Sequence, residues 1–176
     1  MTTRREAVAK AIAVRDLLWD GHLPVNAARI ANRGLVIRTE ANGEKKKLEI
    51  KVQAMPDAND QASSRVYFDA TQDHFVCQYN DNEIFYRANF GLAHALGHVF
   101  LGHVKDPLVI KESHTFNPDS QDSEHRAAID FALELLLPEK YLRKLYGAAR
   151  NVQELSEAFG VSNAAMIKRI NYLGIL

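Results

Sequence analysis

His94 and His98, four residues apart in an otherwise apolar stretch, constrain this chain more than any other feature. On a helix, residues four apart share one face, so both imidazoles can reach a single metal ion. The segment runs Asn89-Phe90-Gly91-Leu92-Ala93-His94-Ala95-Leu96-Gly97-His98-Val99-Phe100-Leu101-Gly102-His103, and Phe90, Leu96, Val99, Phe100 and Leu101 cover most of the remaining surface. A helix apolar nearly all round is a buried one. Burying two histidines is costly unless each finds a partner, and a shared zinc ion satisfies one nitrogen of each. The plainer alternative is a pair of core histidines bonded to backbone; it suits a lone histidine better than a pair at this spacing. Gly97, between them, lets another backbone or the metal come close.

The spacing is that of the zincin motif H-E-x-x-H, in which the glutamate takes a proton from water bound to the metal. Here the glutamate's position is Ala95. Alanine cannot titrate, and a positioned acid–base group contributes ~10²–10⁴ in rate. The expectation is a chain that binds metal but hydrolyses poorly or not at all. One small-for-large change at the reactive position alone reads as an inactivating replacement of glutamate.

Around this segment the periodicity changes twice. Apolar residues at Val8, Ile12, Ala13, Leu17 and Leu18 predict a helix over 3–19, and a second follows Pro24 and stops near Gly34. Leu35–Thr39 is β-branched, Asn42-Gly43 signals a hairpin turn, and Lys47–Val52 alternates polar and apolar. Further strands are expected at Ser64–Asp69 and His74–Gln78, giving a mostly antiparallel sheet of three or four strands. Helical period returns over Glu83–His103, Asp122–Leu137, a segment from Tyr141 to Gly147, and two short stretches, Val152–Phe159 and Asn163–Leu173. The fold class is therefore α+β: a small sheet packed against a buried zincin-type helix, with additional helices. The chain divides into a zincin-like domain at 1–147 and a small helical cap at 148–176.

Composition excludes some functions. Lys+Arg and Asp+Glu are both 22, so the formal net charge is zero, whereas dedicated nucleic-acid binders carry a basic excess. No stretch approaches the roughly 18 apolar residues of a membrane span. Cys77 is the only cysteine, so no internal disulfide forms, which fits a reducing compartment. The expectation is a soluble cytoplasmic protein.

Several blocks together resemble the ImmA/IrrE family of zinc metallopeptidases. Leu23-Pro24-Val25 with Ile30-Ala31 is similar to its N-terminal stretch, and Arg87-Ala88-Asn89-Phe90 leading to His94 is similar to its "R-x-x-F-T-x-A-H-E-x-G-H" block. Phe131-Ala132-Leu133-Glu134-Leu135-Leu136-Leu137-Pro138 resembles "F-A-x-x-L-L-M-P". Phe159-Gly160-Val161-Ser162, Arg169-Ile170 and Leu173-Gly174 resemble the family's ending. Only the glutamate clearly departs. The resemblance implies a zinc endopeptidase that cleaves a helix-turn-helix repressor. It also implies a third zinc ligand at the start of the helix over 122–137. Alignment of Ala128-Ile129-Asp130-Phe131-Ala132 puts that ligand at His125, while the family's ligand type points to Glu124. The two lie about 100° apart on a helix, so one faces the metal; His125 is preferred.

Other candidates carry less. His103 is five residues past His98, off the metal face, and is read as structural; His114 and Tyr86 are candidates for stabilising an oxyanion. His22 and His74 belong to no constellation, and Cys77 reads as a buried apolar residue. The tail reads as a helix-turn-helix, with Lys168 and Arg169 available for phosphates, or as a cap that docks a partner. The cap is favoured, and nucleic acid is not an expected partner. The competing function is a pseudo-peptidase that holds its partner, or DNA through the tail, without cutting.

Overall fold

A computed structural model describes residues 2–56, 62–105, 108–112, 122–148 and 151–175. Helix α1 (Arg4–Leu18) starts in a capping box, with Thr3 and Glu6 each satisfying the other's backbone N–H. Helix α2 (Ala27–Arg33) is capped by Asn26. Strands β1 (Leu35–Thr39) and β2 (Lys45–Ala54) form the expected hairpin. Its loop closes between Glu40 and Glu44, and Gly43 takes φ +84°, the left-handed position that a three-residue hairpin loop gives to glycine. Strands β3 (Ser64–Asp69) and β4 (His74–Tyr79) form a second hairpin, in which the Asp69 carboxylate accepts from the N–H groups of Thr71 and Gln72.

The sheet order is β1-β2-β4-β3-β5. Two features go beyond the sequence expectation. A short fifth strand, β5 (Ile110–Glu112), pairs antiparallel with β3. Strand β4 returns between β3 and β2, and so lies parallel to β2. The other pairings are antiparallel. Alternation puts Leu48, Ile50, Val66, Phe68, Phe75 and Cys77 on the covered face. Phe68 and Phe75, directly opposite each other, meet edge-to-face at 5.1 Å.

Helix α3 (Phe85–Phe100) packs on β3 and β4 with one side and on α4 (Ser123–Leu136) with another. Residues 91–99 are buried without interruption. That is why its sequence is apolar nearly all round. Asn89, also buried, fastens α3 to the start of α2: its side chain accepts from Ala27 N–H and donates to the Val25 carbonyl, both at 2.9 Å. The helix ends at Phe100, short of the expected His103.

Helix α4 serves two cores. Ala127, Phe131, Ala132 and Leu135 join the core under the sheet. Ile129, Leu133 and Leu137, spaced by four, face a second core with Leu142 of α5 (Glu139–Tyr146), Leu155 and Phe159 of α6 (Val152–Phe159), and Met166 and Ile170 of α7 (Asn163–Leu173). At their junction lies Glu134, 3% exposed. Its carboxylate accepts from Arg15 of α1 at 3.2 Å and from Arg169 of α7 at 2.5 Å. Arg169, read from sequence as free to meet phosphate, is buried and also donates to the Leu137 carbonyl. No helix among the described residues is long and apolar enough to cross a membrane.

Removing one partner of a buried ion pair leaves an uncompensated charge and costs about 3–5 kcal/mol. Glu134 balances two guanidinium groups, so Glu134→Ala should lower unfolding stability by at least that range in a denaturant titration. Lys168→Ala, on the exposed side of α7, should stay within ~0.5 kcal/mol of the parent.

Candidate metal centre

The close approach of α3 and α4 builds the site. A Cβ added at Gly97 would lie 2.9 Å from the Ala128 carbonyl oxygen and 3.0 Å from its Cα. Only a residue without a side chain lets α4 lie this near. Asp122 caps α4, accepting from the N–H groups of Glu124 at 2.8 Å and His125 at 3.3 Å. That cap fixes the first turn, from which His125 reaches α3.

His94, His98 and His125 each offer a ring nitrogen, and these atoms all lie within 4.8 Å of one another. The ring centroids are 5.1 Å apart for His94 and His98, and 4.8 Å for His94 and His125. His94 and His98 are 4% and 2% exposed, and their Nε2 atoms are closed to solvent. His125 is half-buried, at the open side. Glu124, the alternative third ligand, is exposed and outside this group. Ala95 is fully buried beside His94.

His103 is the residue whose part the sequence reading missed. Read as structural and off the metal face, it is 3% exposed, and its Nδ1 lies 3.2 Å from Nδ1 of His98. Its Nε2 lies 3.3 Å from the Thr2 hydroxyl. Burial, first, and then the neighbouring His98 lower its pKa, against a smaller upward pull from Glu124 and Asp122. The available signal was Leu101-Gly102-His103: glycine just past a helix end commonly takes the left-handed turn that folds the next residue back over the last turn.

The remaining candidates lie elsewhere. Tyr86 is in the first turn of α3, eight residues before His94 and so ~12 Å away along the axis. His22 is exposed beside Asp20, and the His74 ring contacts the Gln72 carbonyl. Cys77 is fully buried, and burial pushes its thiol up to about 12, which suits packing rather than nucleophilic chemistry. His114 lies outside the described residues.

The profile of the IrrE N-terminal-like domain, peptidase family M78, matches residues 45–171, which include strands β2 to β5, all three clustered histidines and most of α7. The chain belongs to this family. Its fold is thus that of a zincin-like metallopeptidase, and hydrolysis of peptide bonds is the family's chemistry. No curated protein matches the chain.

The Gly97–Ala128 contact can be tested directly. Gly97→Ala forces a methyl against backbone on α4, where overpacking costs about 1–3 kcal/mol. Because α4 carries His125, the same change should also weaken metal binding, measured by chelator competition. A variant that keeps full stability and full affinity would show that the two helices have room to spare.

Proposed function

We propose that His94, His98 and His125 hold one zinc ion, and that the chain is a regulatory zinc endopeptidase unit left inactive as written by Ala95. The observation that carries this reading is the three-histidine cluster inside a metallopeptidase fold. The donor set suits zinc: three imidazoles can supply the three protein ligands of a catalytic site and leave the fourth position open. The half-buried side, at His125, is where a peptide would enter.

A zinc ion held there would supply Lewis-acid polarisation of a scissile carbonyl and an activated water. The residues do the rest. His94 and His98 fix the ion on a rigid buried helix, and α3 and the sheet keep bulk water off one side of it. A glutamate at 95 would receive a proton and return it to the leaving amine; Ala95 offers no such group. The proposed substrate is a helix-turn-helix repressor-type regulatory protein, supported by the resemblance of nearly the whole chain to the ImmA/IrrE family. A reducing cytoplasm suits the buried free thiol of Cys77.

A second reading, a pseudo-peptidase that binds its partner without cutting, is favoured by Ala95 alone. Its DNA-binding form is weakened by the inward-facing Arg169, which leaves Lys168 with little basic company on α7.

Four outcomes are expected. Protein purified without chelator should carry one zinc per chain by elemental analysis. His125→Ala should weaken zinc binding far more than Glu124→Ala; the reverse order would make the carboxylate the ligand. Ala95→Glu should gain chelator-sensitive cleavage of one or a few bonds in the partner, by ~10²–10⁴ over the parent. Position 95 is closed to solvent, and a buried carboxylate without a partner is costly. The metal-free Ala95→Glu protein should therefore melt lower than its parent and recover when zinc is added. If it binds zinc and partner yet leaves every bond intact, the pseudo-peptidase reading replaces the peptidase.

A further inference from the structure

We propose that His103 is the positioning residue of the metal site, accepting the Nδ1–H of His98 so that His98 presents Nε2 to the metal. The inference rests on the zinc reading above and concerns how the protein prepares one ligand. Nδ1 of His98 and Nδ1 of His103 are 3.2 Å apart. Two ring nitrogens bond only if one carries a hydrogen and the other a lone pair. A neutral imidazole that ligates through Nε2 must carry its hydrogen on Nδ1. His98 is then the donor and His103 the acceptor. The hydrogen of His103 must sit on its Nε2, and there the Thr2 hydroxyl stands ready to accept at 3.3 Å. The contacts alone allow two assignments of hydrogens, since the Thr2 hydroxyl can also donate; only this one leaves the His98 Nε2 lone pair for a metal.

The backbone holds His103 in place for this. After Leu101, Gly102 adopts φ +74°. The chain doubles back, Gly102 N–H donates to the Val99 carbonyl at 3.1 Å, and His103 N–H donates to the His98 carbonyl at 2.9 Å. This paired pattern is a Schellman ending. It bonds His103 to His98 through both backbone and ring, and sets the two rings edge-to-face at 5.1 Å. Partners of this kind commonly orient metal-binding histidines, most often as carboxylates or carbonyls. An imidazole does the same work without adding negative charge beside the ion. The contact with Thr2 extends the chain to the residue just before the α1 capping box, so the N-terminal segment braces the site.

The test uses the full chain and zinc alone. Affinity is read by competition with a chromophoric chelator for the parent, His103→Ala, His103→Asn and Thr2→Val. The amide oxygen of asparagine can stand near the place of Nδ1, so it keeps the acceptor. His103→Ala should bind zinc about 10–100-fold more weakly, His103→Asn should regain most of that loss, and Thr2→Val should fall between parent and alanine variant. In the zinc-loaded parent, nitrogen-15 NMR should find the His98 hydrogen on Nδ1. Zinc affinity within about twofold of the parent in a folded His103→Ala, or metal on Nδ1 of His98, overturns the inference. If alanine at 103 prevents folding, the NMR assignment and the asparagine variant still decide it. A parent that takes up no zinc fails the underlying zinc reading instead, before any variant is compared.

Discussion

Ala128 sits over Gly97 so closely that a methyl group on Gly97 would part the helices. That contact is the hinge of the whole arrangement. It brings α4 against α3, and with it the first turn from which His125 reaches His94 and His98. It also completes the enclosure of α3, which already lies against β3 and β4. A helix enclosed on both sides has little solvated stripe to spare for polar groups, so each polar residue on it needs a specific partner. Asn89 finds one in the backbone at the start of α2, and His98 finds one in His103.

A second constraint is electrostatic. Glu134 lies where α1, α4 and α7 meet, and both its oxygens are engaged by guanidinium groups that are themselves buried. Such a cluster adds little net stability over apolar packing, but it is intolerant of losing a member. It fixes the direction from which α7 approaches α4, because Arg169 must reach both Glu134 and the Leu137 carbonyl. The turn between α6 and α7 is seated in a similar way: Gly160, at φ +62°, lies where a Cβ would strike Pro24 at 2.7 Å. A tail whose sequence pattern allows a nucleic-acid reading thus engages Arg169 and its turn with the body of the protein.

The site is held rigidly. Two imidazoles stand on a buried helix and a third on the helix packed against it, so their spacing is set by backbone packing rather than by flexible loops. Sites built on regular elements hold their geometry better than sites on loops. At Ala95 the same packing leaves a methyl in the core, at the position where the proposed peptidase function calls for an acid–base group.

Much of this was legible in the sequence, for identifiable reasons. Strong periodicity gave the helices, the hairpin at residues 35–52 and the two strands within 64–79 to within a few residues, since amphipathic patterns and turn chemistry are local. The His94–His98 pair was legible because a four-residue helical spacing fixes a shared face without any knowledge of the rest of the fold. Local signals do not reach across the chain. The insertion of β4 between β2 and β3, the strand β5, and the union of Glu134 with Arg15 and Arg169 all depend on which elements meet. His103 shows the boundary most clearly. The sequence offers Gly102 as a left-handed turn, but only the folded chain brings the ring back onto His98 and Thr2 up to meet it, because a hydrogen bond between residues 2 and 103 is set by tertiary packing and not by any period in the sequence.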